Sequence, residues 1–456
     1  MSTEATERRD GGEPRFRDTV RELPARVWIV SFGILVNRCG NFLPVFIVLY
    51  LIGRGHSPGT AGLVLGAAGL GNVLGNAIGG SLADRLGRRW TIVLSGTLSA
   101  ALTATVPALD GLPSIMAVVG LVGTASQLYR PAAAALLMDS VTTNQQRVAA
   151  FAVFRFAMNI GAAVGGLAGG RLATHSYTEL FLGNALACLL FAVIAVALLR
   201  DLPRGARKTT ETTETTGTTE TTETTGTTGN TETAETGETK EPLESRETEE
   251  PADKGSYRKA LADRRLRRFL VMTVIAEFVY IQSTVGLPLH VTAVGLTAAD
   301  FGTLIGLNGV LVLVCELPVA GVVVKRKATH VLAVGNLLTG LGLALTGFAT
   351  DMLWLGATVV LWTLGEMMYS SVANAYLGGL SPDHMVGRYQ GLYGAAFTLG
   401  TGVGPLIGGA VYAYHPWALW IVVGAAGLLS AQLCLPPRRA LAPPEERPDR
   451  LDQEPA

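Results

Sequence analysis

Twelve windows of about 20 mostly apolar residues follow one another along the chain, and each can cross the ~30 Å hydrocarbon core of a bilayer as a helix. The apolar residues of each window are continuous, whereas the strands of a membrane barrel would be shorter and would alternate apolar with polar residues. The pattern therefore predicts an all-α integral membrane protein. The windows, called spans 1 to 12, begin near Arg26, Thr60, Trp90, Pro113, Val148, Thr178, Arg268, Ala298, Val331, Leu353, Arg388 and Pro416.

A polar stretch separates the first six spans from the last six. Residues 209–239 are a low-complexity run of Thr, Glu and Gly, which is too polar to bury a core. We therefore predict five regions, namely an N-terminal tail over 1–24, a bundle over 25–199, a disordered linker over 200–263, a bundle over 264–436 and a C-terminal tail over 437–456. The N-terminal tail lacks the apolar core of a signal peptide, so span 1 is expected to remain in the mature protein.

Spans 5 and 11 share one glycine frame. Its four glycines in the first half recur in the second at a constant offset of 239 residues, as from Gly165 to Gly404. A parallel repeat of this kind is typical of transporters whose halves rock about a central site. We predict two pseudo-symmetric six-helix bundles in which small residues allow close helix packing. The frame comprises Gly161, Gly165, Gly169 and Gly170 in span 5 and Gly400, Gly404, Gly408 and Gly409 in span 11, where Pro405 is added.

The distribution of Lys and Arg predicts the orientation. The short connections on one side of the membrane contain only Arg54 and Arg171. Those on the other side contain eight basic residues, Arg85, Arg88, Arg89, Arg147, Lys325, Arg326, Lys327 and Arg388. By the positive-inside rule the second side, with both termini, is cytoplasmic, and the expected location is the inner cell membrane.

The turn between spans 2 and 3 holds a dense charge cluster. Residues 80–89 read Gly-Ser-Leu-Ala-Asp-Arg-Leu-Gly-Arg-Arg. This sequence closely resembles the signature loop between helices 2 and 3 of major facilitator superfamily transporters, and the resemblance implies the twelve-helix fold of that family. It also implies a conformational latch made by Gly80, Asp84, Arg85, Gly87, Arg88 and Arg89 together with Asp139.

Each latch residue has an expected physical role. Asp84 can cap a helix N-terminus across the interface between the halves, where exposed amides favour an anion. Arg88 can pair with Asp139 at the end of span 4, while Gly80 and Gly87 permit close approach and a tight turn. The corresponding loop of the second half, residues 325–330, keeps only charge. The latch is therefore expected to be one-sided.

The glycine frame of span 5 resembles a motif that is typical of exporters in this family. Here Gly166 stands where that motif has a proline, and generic packing of small residues remains an alternative. The chain as a whole is most similar to bacterial twelve-helix, multidrug-type, proton-coupled exporters. The resemblance covers all but the tails and the linker.

Six charged residues fall inside the spans. Each costs about 2.5 to 3.5 kcal/mol at the centre of a membrane helix, so each is expected to face the protein interior. Arg38, Arg130 and Arg155 lie in the first half, and Glu277, Glu316 and Glu366 lie in the second. A carboxylate there gains a proton when it is desolvated and loses it beside an arginine, so the glutamates are proton-coupling candidates, Glu366 first and Glu277 next. The alternative is that some of the six form permanent structural pairs.

Further polar residues accompany these charges. They include asparagines beside Arg38, and they either orient a ligand or satisfy one another. We predict a substrate cavity lined by Asn37, Arg38, Asn41, Arg130, Arg155, Tyr280, Gln282, Asn308 and Tyr369. The four cysteines show no metal-ligand spacing, so no metal site is expected.

The chain carries no phosphate-binding Gly-x-x-x-x-Gly-Lys-Ser/Thr sequence, so an ion gradient is the expected energy source. The resemblance implies a monomeric secondary transporter that exports a drug or metabolite by proton antiport. It is expected to act without a cofactor, without nucleic acid and without enzymatic activity, and its partners are the substrate, protons and the lipid bilayer. The main alternative is a proton-coupled importer of a polar or anionic nutrient, for which the arginines would be binding groups. A second alternative is a membrane sensor that has lost transport and uses the linker as a docking arm.

Overall fold

The computed structural model describes residues 16–199, 257–382 and 385–435, and all regular elements in these ranges are helices. Twelve of the helical segments are long and apolar enough to cross a membrane, so the twelve predicted spans are confirmed. In order they are Ala25–Cys39 with Leu43–Gly53, Pro58–Leu86, Arg88–Thr105, Leu112–Gln127 with Tyr129–Asp139, Asn144–His175, Tyr177–Leu198, Arg264–Tyr280 with Gly286–Ala293, Ala298–Val323, Ala328–Thr346, Met352–Leu380, Val386–Tyr414 and Pro416–Cys434.

Two short helices precede the bundles. Phe16–Arg21 lies in the predicted N-terminal tail, and Tyr257–Ala262 lies in the part of the chain assigned to the disordered linker. The prediction of disorder up to residue 263 is thus wrong for 257–262, because Ala260 is fully buried against the second bundle and anchors this turn of helix. Residues 200–256 of the predicted linker and the predicted tail over 437–456 lie outside the described residues.

Spans 1 and 7 are each interrupted near their middle. Span 1 is broken between Cys39 and Leu43, and span 7 passes through a single 3₁₀ turn, Ile281–Ser283. Irregular backbone inside a membrane must find hydrogen-bond partners in the protein. The Leu43 N–H donates to Asn184 Oδ1 at 2.9 Å, and Gln282 Nε2 donates to the Phe278 carbonyl at 3.0 Å. Each break is therefore stabilised by a side-chain amide.

The buried apolar residues show which end of the molecule is closed. We call the end where span 1 begins and span 12 ends the terminal face, and the other end the distal face. Near the distal face one core runs through both halves and includes Phe46 of span 1 and Phe301 of span 8. Near the terminal face each half has its own core, around Ile34 in one and Phe269 in the other. The halves therefore share an apolar core at the distal face, whereas toward the terminal face each half packs on a core of its own.

Glycines make the distal closure possible. Spans 2 and 11 meet at Gly69 and Gly402, where an added Cβ on Gly69 would lie 2.8 Å from the Gly402 Cα. Spans 5 and 8 meet at Gly170, where an added Cβ would lie 2.9 Å from the Ala298 carbonyl oxygen. Nearer the terminal face, a Cβ on Gly80 of span 2 would meet nothing within 4 Å. Close backbone contact between the halves is thus concentrated away from the terminal face.

The glycines of the repeated frame contact equivalent helices in both halves. The first three glycines of each copy pack on the first span of their own half, as Gly161 packs on Arg38 and Gly400 packs on Glu277. The fourth glycine of each copy packs on the opposite half. Gly170 contacts span 8, and Gly409 contacts Pro58 at the start of span 2. The prediction that the frame serves close helix packing is confirmed for both copies.

Replacing Gly302 by valine tests the distal closure. The added side chain would collide with Gly166 and Gly170 of span 5, and overpacking of this kind costs about 1 to 3 kcal/mol. We expect the distal face to open. Spin labels at Ser57 and Tyr414, at the distal ends of spans 2 and 11, should then report a longer distance by pulsed electron paramagnetic resonance.

The matched control is Gly321→Val on the same helix, where an added Cβ meets nothing within 4 Å. This variant should leave the distance between the labels unchanged. Equal distances in the Gly302→Val protein and the unsubstituted protein would contradict the assignment of the glycine contacts to the closure.

Candidate functional site

A polar cavity of about 310 Å³ lies beside the break in span 1. Four of the predicted cavity residues line it, namely Asn37, Arg38, Asn41 and Arg130. The second half contributes Thr284 after the 3₁₀ turn of span 7 and Thr401 of span 11, so the cavity lies between the halves. The interruption of span 1 places irregular backbone at this depth, and such backbone is tolerated inside a membrane where it lines a cavity or is buried in protein.

The two arginines of the cavity flank one tyrosine. Tyr129 is buried at the point where span 4 changes from its first helix to its second, and Arg38 Nη2 donates to its hydroxyl oxygen at 3.3 Å. Arg130, the next residue, also interacts with this hydroxyl. The Nε of Arg38 is buried and has no hydrogen-bond partner among the described residues. The cavity wall therefore holds a charged donor that no described residue uses.

Several cavity residues are additional to those predicted. Asn72 of span 2, Gln127 and Tyr129 of span 4 and Asn184 of span 6 also line the cavity. Each is a polar residue within an apolar window, and that signal is present in the sequence. The sequence alone does not show which face of each helix points inward, so it does not separate these residues from polar residues elsewhere in the spans.

A second polar cluster lies in the other half, around Glu366 of span 10. Tyr280 donates its hydroxyl to Glu366 Oε1 at 2.8 Å, and Asn308 Nδ2 donates to Oε2 at 3.0 Å. The same Asn308 amide reaches Thr363 Oγ1 at 3.0 Å. Glu277 is only 5% exposed and lies close enough to Glu366 for the two carboxyl groups to repel each other. We call these five residues the carboxyl cluster.

The carboxyl cluster corrects the predicted extent of the cavity. Tyr280 and Asn308 were expected to line it, but they are hydrogen-bonded to Glu366 instead. Gln282 is fully buried, and its amide also donates to the Gly404 carbonyl at 3.2 Å, so it stabilises the packing of span 11 on span 7. Tyr369 packs beside the terminal-face core of the second half. None of these four lines the cavity described above.

Arg155 and Glu316 form an ion pair between the halves. Arg155 of span 5 donates to Glu316 of span 8, and Asn159 Nδ2 donates to the other carboxylate oxygen at 3.2 Å. The prediction of Arg155 as a cavity residue is therefore wrong for this state, because its guanidinium is held at the interface of spans 5 and 8. The Glu316 carboxylate is likewise held by two donors.

The turn between spans 2 and 3 contains the predicted ion pair of Arg88 with Asp139. Arg88 also donates to the Ala135 carbonyl at 2.8 Å, and it thereby ties this turn to the end of span 4. Gly87 has φ of 93°, which confirms the tight turn, since residues with a Cβ rarely adopt this conformation. The close approach expected at Gly80 is absent here, because the halves are apart at the terminal face.

The two first spans carry opposite charges at equivalent places. Glu277 follows Arg38 by 239 residues, the same offset as the glycine frame, and Gly400 packs on Glu277 as Gly161 packs on Arg38. This offset is visible in the sequence through the glycines. Applied to the charged residues, it would have identified this antisymmetric pair.

Comparison with known proteins agrees with this architecture. The model of the Major Facilitator Superfamily matches residues 30–371 and 295–455, which together span most of the chain. The chain belongs to the Major Facilitator Superfamily. It is therefore a multi-pass membrane transporter, as the loop at residues 80–89 indicated.

Curated relatives of this superfamily member are distant. It is 25% identical over 403 residues to YttB, an uncharacterized MFS-type transporter of Bacillus subtilis, with 86% of this chain and 90% of the relative covered. It is 25% identical over 416 residues to the multidrug resistance protein MdtH of Aeromonas salmonicida, with 89% and 94% covered. These similarities extend over nearly the full length of each relative.

Solved structures share the fold. A peptide transporter POT in complex with sulfate aligns with a TM-score of 0.67 at 15% identity, over 92% of this chain and 97% of that one. A D-xylose-proton symporter aligns with a TM-score of 0.65 at 15% identity, over 90% and 96%. At this level of identity the superposition establishes the twelve-helix fold.

Exchanging the charges of Arg155 and Glu316 tests their pairing. Arg155→Glu alone should destabilise this state, because two carboxylates would then face each other. The double variant Arg155→Glu with Glu316→Arg should recover most of the loss. A double-mutant cycle on thermal unfolding is expected to give a coupling of about 1 kcal/mol, the upper range for partly exposed pairs. A coupling of zero would contradict the pair.

Proposed function

We propose that this superfamily member exports a small molecule from the cytoplasm in exchange for protons. Both termini are taken as cytoplasmic in the inner cell membrane, in accord with the excess of basic residues on that side. With this orientation the open terminal face exposes the region between the halves to the cytoplasm. Rocking of the halves would close the terminal face and open the distal face, which is the alternating-access cycle.

The carboxyl cluster is the observation that carries the proposal. In the described part of the chain, Glu277 and Glu366 form no salt bridge, whereas Glu316 is paired with Arg155. An unpaired charge buried in a membrane protein is costly, so burial favours the proton-bound form of these carboxyl groups. The Tyr280 hydroxyl and the Asn308 amide favour the ionised form of Glu366. With opposing influences on the same carboxyl group, a small movement that weakens one of them can load or release a proton.

The positions of the two spans relate this chemistry to movement. Glu277 lies on span 7 four residues before its 3₁₀ turn, and Gly400 of span 11 packs on its Cβ. Span 11 also contacts span 2 of the other half through Gly402 and Gly409. A change in the packing of the halves therefore reaches Glu277 through a single helix. We infer that Glu366 and Glu277 carry the transported proton.

Export rather than uptake is supported by the glycine frame and by a relative. Span 5 has the exporter-like frame without its proline, and the similar protein MdtH is named a multidrug resistance protein. The D-xylose-proton symporter of the same fold moves substrate and proton in one direction. Uptake is therefore the outcome that the transport experiment has to exclude.

The transport experiment uses purified protein in liposomes with an imposed pH gradient. Internal pH is followed while hydrophobic drugs and small organic anions are added to the terminal face. Proton movement opposite to that of a compound would support antiport. Movement in the same direction would replace export with uptake, and substrate flux that is unaffected by the pH gradient would contradict proton coupling.

Neutralising the carboxyl cluster should remove proton-driven transport and leave substrate exchange at equal pH intact. We expect Glu366→Gln and the double variant with Glu277→Gln to lose at least tenfold of pH-driven transport, since an amide binds no transferable proton. Substrate exchange at equal pH should persist. The control is Glu179→Gln, which changes an exposed carboxylate at the start of span 6 and should leave both rates unchanged. Retained coupling in the double variant would contradict the assignment.

Deleting residues 209–239 distinguishes a transporter from a sensor that uses the linker as a docking arm. A connection that serves only to tether the two halves takes no part in transport, so transport by the deleted protein should remain within about twofold of the full chain. Initial rates in the same liposomes measure this. Loss of all function with normal insertion into the membrane would favour the sensor.

A further inference from the structure

The cavity beside span 1 carries positive charge without a matching negative charge. Arg38 and Arg130 line it, and no Asp or Glu is among its described lining residues. Neither arginine forms a salt bridge within the described part of the chain. By contrast, the other intramembrane arginine, Arg155, is paired with Glu316. The described residues thus supply a counter-charge for one of three such arginines.

We propose that the transported compound bears an anionic group, a carboxylate or a phosphate, which binds between Arg38 and Arg130. This inference rests on the proposed transport function and adds the chemical class of the substrate. Guanidinium groups present several donors in a planar fork that matches both kinds of anion. An anion would also accept from the buried Arg38 Nε, which has no partner in the described structure.

The surrounding side chains fit an anion with a polar body. Tyr129 holds Arg38 through its hydroxyl at 3.3 Å, and so limits the freedom of the guanidinium before a ligand arrives. Asn37, Asn41 and Asn72 add amide groups along the same wall. The cavity of about 310 Å³ is in the range of small-molecule sites, which begin near ~300 Å³. A compound of one or two rings with a single acidic group fits this volume.

The carboxyl groups of the second half favour binding of the anion to the first half. Glu277, the residue equivalent to Arg38, and its neighbour Glu366 lie in the second half. When ionised, these carboxyl groups repel an anion, and when protonated they do not. Among the described lining residues, those of the second half are all uncharged, namely Ile281, Thr284, Thr401 and Pro405. The site therefore selects negative charge through one half alone.

Binding of matched probes tests the charge preference. Purified full-length protein in phosphatidylcholine nanodiscs is titrated with 2-naphthoate, 2-naphthamide and 2-naphthylmethylamine, and with benzoate, benzamide and benzylamine, by calorimetry. We expect each carboxylate to bind at least tenfold tighter than its amide, and the amines to bind least. Equal or weaker binding of both carboxylates, or no binding of either at millimolar concentration, would overturn the proposal.

Substitution of Arg38 and Arg130 tests whether these residues cause the preference for carboxylates. Arg130→Gln changes an exposed side chain and is expected to fold, and it should remove most of the carboxylate preference. Arg38→Gln should do the same. Arg171→Gln, at the distal end of span 5, is the control and should bind like the unsubstituted protein. A preference that survives the double variant Arg38→Gln with Arg130→Gln would overturn the assignment.

Two further measurements complete the test. The first distinguishes a substrate site from a lipid site, and the second distinguishes anion binding from proton coupling. Adding phosphatidylglycerol to the nanodiscs should not displace 2-naphthoate, and competitive displacement would assign the site to a lipid headgroup and overturn the proposal. Glu277→Gln with Glu366→Gln should keep the carboxylate preference even though coupling is lost. Carboxylate binding without proton movement would contradict only the proposed function, whereas proton antiport restricted to cationic drugs would contradict only the anion site.

Discussion

The cost of a charge in the hydrocarbon core constrains the whole arrangement of polar residues in this protein. Six charged side chains lie within the spans, and the structure accommodates them in three ways. Arg155 and Glu316 are paired across the halves. Arg38 and Arg130 gather around a tyrosine at a cavity, and Glu277 and Glu366 are buried with neutral donors near them. Within the described part of the chain, only the first arrangement is balanced by a partner of opposite charge. The other two leave a charge or a proton to be supplied from outside, which is the chemistry that a coupled transporter requires.

A symmetric scaffold carries an antisymmetric charge distribution. The glycine frames of spans 5 and 11 pack in the same manner on spans 1 and 7, so the two halves have nearly the same backbone relation. Yet the residue under the first glycine is Arg38 in one half and Glu277 in the other. Because the glycines have no side chains, they fix the helix spacing without restricting which residue lies opposite. The packing repeat can thus be retained while the two halves differ in charge, with proton binding proposed for the second half and anion binding proposed for the first.

The fold was largely predictable from the sequence, while the grouping of polar residues was not. Continuous apolar windows and the loop at residues 80–89 indicated twelve spans, and the pair of Arg88 with Asp139 followed from two residues at one end of the bundle. Of the predicted cavity residues, however, Tyr280 and Asn308 belong to the carboxyl cluster, and Gln282 stabilises a helix break. All are polar residues at similar depth. Whether such a residue faces the cavity, the carboxyl cluster or a helix break depends on the rotation of its helix and on where span 7 is interrupted. Neither property can be read from a uniformly apolar window.

The contacts between the halves favour a particular axis of rocking. Between spans 5 and 8 they extend from Gly170 to the ion pair of Arg155, fifteen residues away or about 22 Å of helix. Between spans 2 and 11 the glycine contacts that the structure shows run only from Pro58 to Gly69, about 16 Å, and Gly80 lies free of close neighbours beyond them. The contact between spans 5 and 8 therefore reaches closer to the terminal face than the glycine contacts between spans 2 and 11 do. The ion pair that extends this contact makes spans 5 and 8 better placed to act as the hinge side.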